Sequence, residues 1–397
     1  MIDLLKTSRT LPIGIDLGST GARLLQLAQG RKGLRVAASA RVDLTSRAAP
    51  DDPARVQELI EAIANTVRAG TFTGTNCIIG LDDRMVRTRS FRQPPMPESE
   101  LAKAASLDGA EKLGFPEGQP AEISTFIAGE VRQGDEVRHE VVYVGAPRAP
   151  IETMVRGLME RGLRPLHVEP GFCAEARAFA RTFQRAEDRL SVRVVVDLGW
   201  ASSSVLLLRG TDIAFYKRLD LGGDQLTKHA AERLGLDIHA VADLRQRRMQ
   251  ASEPGHTPVD AKVDRAIYQV TRPLLNDLAH EVKLCMRYYA VTFRGIRPEC
   301  CHIVGGEARE PGLVEAFEQA LHIPAKLGDP LQGVSVQDAA STGRTRIVAG
   351  APAPDWAVAC GLSLRLSQRK SRRARRDATR TADVPPHGMV DERKVAA

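Results

Sequence analysis

The chain is organised around one pattern that occurs twice. Ile13-Gly14-Ile15-Asp16-Leu17-Gly18-Ser19-Thr20-Gly21 leads into a second apolar run, Ala22 to Leu27. Val192 to Val196, a β-branched run, leads into Asp197-Leu198-Gly199-Trp200-Ala201-Ser202-Ser203-Ser204 and then Val205 to Leu208. Each reads as a strand ending in an acid, a turn of glycine and hydroxyl residues, and a returning strand. Glycine lets backbone approach an anion closely, so N–H groups at such a tip can face a phosphate. The acid that closes the first strand is placed to hold a divalent cation through water. Another strand follows each hairpin, Leu34 to Leu44 and Ile213 to Leu221. A duplicated unit of this kind makes two lobes, each offering a hairpin to one ligand.

The remaining elements fit that frame. Asp51-Asp52-Pro53 starts a helix with Val56, Leu59, Ile60, Ile63 and Val67 at helical spacing. Asn76 to Leu81 is a short buried strand. Prolines cluster at Pro94, Pro95 and Pro97, and a small α+β insertion follows over about 91–165. It contains a helix from Glu98 to Leu113, strands around Gly134-Asp135, and a helix from Pro147 to Arg161. Leu166 to Glu169 is extended, and Cys173 to Phe183 is helical. The second half carries helices from Gly222, from Ala240 to Arg248 and from Asp264 to Tyr289, the last broken near Pro273. Strands are read at Cys301 to Val304 and Ile323 to Leu327, and Asp355 to Leu366 reads as an amphipathic helix. The domains expected are a first lobe at 12–190, a second lobe at 191–366 with a helical part at about 222–300, and a basic disordered tail at 367–397.

Charge narrows the function. The net charge is +7, yet Ser367 to Ala397 alone holds nine Lys/Arg against four Asp/Glu. The folded part is close to neutral and only 4% of residues are aromatic, so a nucleic-acid-binding core is not expected. The six cysteines form no Cys-x-x-Cys pair, which favours reduced thiols in a cytoplasmic protein. Cys300-Cys301-His302 flanks a strand and lacks a second ligand pair, so it is not read as a metal site. No leader-like segment and no run of bilayer-spanning length is seen, so any membrane association is peripheral.

Four pieces stand in a telling order: Asp16 to Thr20, Glu169-Pro170, Asp197 to Ser204, and Gly305-Gly306-Glu307. This order resembles the actin-like ATPase superfamily. Pro94-Pro95-Met96-Pro97, Leu219 to Thr227, Arg287-Tyr288-Tyr289 and Trp356 to Arg365 resemble, within it, the PilM family of type IV pilus assembly. The resemblance implies an α/β actin-like fold, two duplicated lobes around a nucleotide cleft with a small inserted subdomain. It implies ATP and Mg²⁺ as cofactors, with Asp16 and Asp197 orienting the hydrated metal. Gly18, Ser19, Thr20, Gly199, Ser202 and Ser203 would embrace the phosphates. Gly305, Gly306 and Glu307, with Asp243 and Arg245, would border the nucleoside, and Glu169 would lie near the attacking water as the catalytic residue. Three departures stand out: Arg23 replaces a customary Lys, Ala242-Asp243-Leu244-Arg245 stands where the nucleoside-side helix usually carries Glu and Lys, and Trp200 replaces a small residue in the second hairpin.

The implied function is an ATP-binding scaffold, at most a slow ATPase, on the cytoplasmic face of the inner membrane. Its implied partner is the cytoplasmic N-terminal segment of PilN, an inner-membrane protein, with pilus motor ATPases and a second copy of the chain as further partners. A small-metabolite kinase and an FtsA-like filament protein are the alternatives on the same fold.

Overall fold

The structure is a computed structural model describing residues 9–182, 188, 190–251, 259–336 and 347–365, with Gln133 by its backbone alone. The tail expected at 367–397 lies outside the described residues, as does most of the polar loop read at 249–258.

The first half runs β1 (Arg9–Gly18), β2 (Gly21–Gly30), β3 (Gly33–Asp43), α1 (Pro53–Ala69), β4 (Asn76–Leu81), β5 (Arg87–Gln93), α2 (Glu98–Lys112), β6 (Ala121–Gln133), β7 (Glu136–Pro147), α3 (Arg148–Glu160), β8 (Arg164–Pro170) and α4 (Gly171–Ala180). The second runs β9 (Val192–Leu198), β10 (Ser203–Arg209), β11 (Asp212–Leu219), α5 (Gly223–Leu234), α6 (Ile238–Gln250), α7 (Ala261–Phe293), β12 (Cys300–Val304), α8 (Leu313–Leu321) and β13 (Ala325–Leu327). A 3-10 turn at Pro354–Trp356 then leads into α9 at 357–365.

Two five-stranded sheets repeat one topology. The order is β3-β2-β1-β4-β8 in one and β11-β10-β9-β12-β13 in the other. In both, the first two pairs are antiparallel and the last two parallel. The duplication read from the hairpins therefore extends to whole sheets. Both faces of each sheet are covered, which is why the strands are continuous apolar runs. Ile13, Ile15, Leu17 and Leu24 join α1 and α3 in one core, while the neighbouring Leu25 and Leu27 pack with the α9 side chains Ala359, Cys360 and Leu364 in another.

α1 begins where the sequence asks it to. The Asp52 carboxylate accepts from the Arg55 N–H at 3.0 Å, and Pro53 occupies the first turn, where its missing donor is not needed. Val56, Leu59, Ile60 and Ile63 form its buried face.

Three expectations are corrected here. α7 runs unbroken through Pro273 for 33 residues. Pro273 and Gln269, whose carbonyl loses its partner, are both exposed, so that carbonyl is open to solvent and the missing bond does not break the helix. The inserted sheet, β5-β7-β6, begins at Arg87 rather than 91. Its last expected part, α3, packs Met154 and Leu158 into the α1 core and belongs to the first lobe. Finally, α9 is not amphipathic: Trp356 to Leu364 are all buried. It lies on the first sheet despite following the second in sequence. A Cβ on Gly14 would stand 2.2 Å from the Ala359 carbonyl oxygen, and one on Gly361 would stand 1.7 Å from that of Ala174. The absence of side chains at both positions lets the helix seat between sheet and α4.

The insertion is keyed to both lobes. One face of its sheet packs Val141 and Tyr143 under α2 with Leu101 and Phe115. The other packs Ala128, Val142 and Val144 against Phe172 of α4 and Leu206, Leu208 and Tyr216 of the second sheet.

Candidate functional site

The two hairpin tips open on one cleft of about 800 Å³, walled by both lobes. Each tip has its own support.

The first tip is a two-residue turn, Ser19-Thr20, between the paired Gly18 and Gly21. Its carbonyls are all engaged by protein. Arg55 donates to Gly18 O at 2.9 Å and Ser19 O at 3.1 Å, and the Leu44 N–H donates to Thr20 O at 2.9 Å. With the carbonyls committed, the Ser19 and Thr20 hydroxyls are left facing the cleft. Among the described residues neither makes a hydrogen bond.

The second tip is a longer loop. Gly199 N–H donates to Ser202 O at 3.0 Å, and the start of α5 closes on it through Gly223 N–H to Gly199 O and Asp224 N–H to Trp200 O. Trp200, Ala201 and Ser202 line the cleft. Ser203 does not: it is 1% exposed and its hydroxyl donates to Leu221 O. Ser203 is therefore a support of the loop, and the half-buried Gly199 braces it through its bond to Ser202 O.

The third wall is Gly305-Gly306-Glu307. Gly305 has φ 100°, and a Cβ there would stand 2.2 Å from Asp197 Oδ1, so only glycine brings this turn against the second hairpin. Glu307 lines the cleft but faces Arg245, which bonds it at 2.9 Å and Glu310 at 2.7 Å. Arg245 also donates to Gly223 O and Thr227 Oγ1, both at 2.8 Å. Arg245 and Glu307 thus satisfy each other, and the wall they form is rigid.

Two expected site residues are displaced. Asp243 points outward from α6 and pairs with Arg247 one turn on, its side chain 55% exposed. The residues of that helix that line the cleft are Ala242, Arg245, Gln246, Met249 and Gln250. Glu169 is buried on β8 away from the cleft. Arg177 grips it at 2.6 and 2.9 Å, and Arg365 adds a third contact. Both of its oxygens are taken up by the two guanidiniums, so it is not free to approach a water in the cleft.

The floor holds the charge. Asp16 lies near the end of β1 and Asp197 near the end of β9, each directly before its Leu-Gly. Burial pushes the Asp16 carboxyl up to about 7; Arg23, 4.0 Å away, opposes this, and Asp197 and Asp82 add to it. Asp83 is raised well above the usual range by burial and then by Asp197 and Asp82, and its Oδ1 has no hydrogen-bond partner among the described residues. Glu175 of α4, raised by burial and by Asp197, shares a hydrogen bond with Asp197. Around the rim stand Arg23, Arg41, Arg47 and Arg309. Asp355 sits between Arg23, at 3.8 Å, and Arg309, at 3.6 Å. No group of three or more His, Cys, Asp or Glu forms a ready cation cage among the described residues. A cationic rim over an acidic floor suits a polyanion that brings its own hydrated cation.

Sequence reasoning gave Asp82 and Asp83 no part in this cleft and missed Glu175 and Arg55. Asp82 and Asp83 had a signal, since they directly follow β4 at the end where Asp16 lies on β1, and the two strands are parallel neighbours with Asp16 opposite Gly80. Glu175 had none: only the packing of α4 under the cleft brings it there.

The family model described as Type IV pilus assembly protein PilM matches residues 14–367. The chain belongs to the PilM family. Among solved structures this PilM-family chain is similar to one in a PilM-PilN type IV pilus biogenesis complex, with a TM-score of 0.70, 21% identity, and coverage of 89% of this chain and 98% of that one. It also resembles a diol dehydratase-reactivating factor in nucleotide-free form, with a TM-score of 0.51, 12% identity, and coverage of 91% and 100%. A third similar structure is the ethanolamine utilization protein EutJ from Carboxydothermus hydrogenoformans, with a TM-score of 0.48, 15% identity, and 89% of each chain covered. The fold is the actin-like one, as the order of motifs implied. Neither the kinase nor the filament alternative is favoured. No described helix is long and apolar enough to cross a membrane.

Proposed function

We infer that this PilM-family chain is a nucleotide-responsive scaffold of type IV pilus assembly, working at the cytoplasmic face of the inner membrane and binding the N-terminal cytoplasmic segment of a PilN-like protein. The observation that carries the nucleotide part is the paired hairpins. Two tips from duplicated sheets face one cleft, with free hydroxyls at Ser19 and Thr20 and arginines on the rim. ATP fits this arrangement, its phosphates against Gly18, Ser19, Thr20 and Ser202 and its nucleoside toward Gly305 and Gly306. Mg²⁺, held through water by Asp16 and Asp197, would neutralise phosphate charge. The unpartnered Asp83 Oδ1 supports a cation on this floor.

Ligand binding would favour the closed lobes and shift the population of a partner surface. Slow turnover follows from the site itself. Glu169 is locked by Arg177 and Arg365, and Glu175 is buried in a shared hydrogen bond with Asp197. Of the other cleft carboxylates, Asp43, Asp82 and Asp355 are paired with arginines and burial favours the neutral form of Asp16 and Asp83, which leaves none well placed to activate water.

For the peptide, the expected place is a groove at the inserted subdomain; the apolar slot bounded by Leu59, Met85, Ile151 and Met154 holds only about 20 Å³ and does not admit a peptide side chain as it stands.

Isothermal titration of a PilN-segment peptide, with and without Mg-ATP, tests both parts. The reading expects peptide binding in either state with an affinity changed by the nucleotide. Absence of binding by both peptide and ATP analogue would overturn it.

A further inference from the structure

Away from the cleft, α7 ends in an uncovered apolar stripe. Leu284 is 42% exposed, Tyr288 43%, Val291 75% and, just past the helix, Ile296 58%. The three helical positions are spaced i, i+4 and i+7, so they share one face. Val282, Cys285 and Tyr289 on the opposite face are buried in the core of the second sheet. Between Val282 and Pro298 there is no Asp or Glu, and there are four Lys/Arg. Of these, Lys283, Arg287 and Arg294 are exposed and form no ion pair among the described residues. The acids of α7, Asp264, Asp277 and Glu281, all lie before this stretch.

We propose that the end of α7 is a docking face for an anionic lipid surface. Protruding apolar side chains flanked by unpaired cations, with a tyrosine at the boundary, are the chemistry of a helix lying in a membrane interface. Relief decides between lipid and protein. A side chain three-quarters exposed, like Val291, stands proud of the surface. A bilayer admits such a projection anywhere, whereas a folded partner needs a matching pocket. The face lies beside the insertion, since Tyr288 donates to Glu140 of β7 at 3.3 Å and Phe293 packs at Gly129. Membrane contact here would therefore present the insertion side of the molecule to the bilayer.

The test uses the full chain with Val291→Cys carrying an environment-sensitive fluorophore. Vesicles containing phosphatidylglycerol are expected to shift its emission to the blue, and phosphatidylcholine vesicles are not. The pair Lys283→Glu and Arg287→Glu should lower the partition coefficient at least about tenfold, as should Leu284→Ser with Val291→Ser. These positions are exposed, and an unchanged thermal melt verifies that each variant is folded. The basic run at 369–376 can itself carry protein to anionic vesicles, and the label separates the two routes. Co-sedimentation with an unshifted label overturns the proposal, as does charge reversal without effect. A label shifted by polyglutamate but not by vesicles also overturns it and assigns the face to an acidic protein.

Discussion

Each lobe backs its hairpin with one buried arginine, and the two arginines are used in opposite ways. Arg55 and Arg245 are each 1% exposed. Arg55 gives its hydrogen bonds to three neutral carbonyls, those of Gly18, Ser19 and Ser46, with no carboxylate at ion-pair distance among the described residues. Burial pulls its guanidinium below the usual range, with nearby Asp82 opposing. Arg245 is likewise penalised by burial, but Glu310 and Glu307 outweigh that and hold it above its usual range. The first lobe therefore keeps a positive charge with no carboxylate bonded to it directly behind its hairpin turn. The second has cancelled its own. Two copies of one architecture differ behind their hairpins: the first has a buried arginine bonded only to carbonyls and the second a braced ion-pair wall, which on the proposed reading makes the first the stronger anion contact.

That difference is open to test, beginning where the effect is largest. Arg245→Ala leaves Glu307 buried without its partner and Glu310 held by Arg248 alone, and should cost about 3–5 kcal/mol in urea unfolding. Arg55→Met strands three carbonyls and should cost about 3 kcal/mol. It should also weaken binding of an ATP analogue more than any variant of the second hairpin. If both arginine variants lose the same nucleotide affinity after correction for stability, the asymmetry is wrong.

Asp16 gives a pH signature. Its folded pKa of about 7 lies above the unfolded value of 3.8. The folded state therefore holds the extra proton between these values, and stability falls as pH rises from about 4 to about 7. Asp16→Asn should flatten that slope and stabilise the ligand-free protein at pH 8 by about 1–3 kcal/mol, read from denaturation at several pH values. Smaller effects separate the hydroxyls. Ser19→Ala with Thr20→Val should weaken ATP-analogue binding by about tenfold. Ser203→Ala should leave affinity unchanged and cost about 1 kcal/mol of stability through the lost bond to Leu221 O. Asp243→Ala should move neither quantity by more than about 0.5 kcal/mol, since it removes only an exposed helical pair.

Most of the fold was legible because its signals are local. A run such as Val192 to Val196 declares a buried strand, and the repeated Asp-Leu-Gly marks where each strand must turn. β5 escaped notice because it is an edge strand, largely exposed, and needs no apolar run. The site was legible where backbone geometry makes it, at Gly18 to Thr20 and at Gly305. It failed where fate is set at long range. Glu169 looks like a catalytic acid until Arg365 arrives from the far end of the chain. Asp243 fails by rotation, since on α6 Arg245 faces inward and the residue two positions earlier faces out. α9 reads as a surface helix because nothing nearby in sequence announces the glycines at 14 and 361 that let it sink into the first lobe.

The seating of α9 has a mechanical consequence. The Ser363 hydroxyl donates to Pro12 O at 2.8 Å and accepts from the Leu27 N–H at 3.0 Å, stitching the last described helix to the first two strands. A pull applied between Arg9 and Arg365 would be borne by that seam. The entire second lobe hangs as a closed loop outside the line of force, so tension would reach the cleft only after the seam had torn.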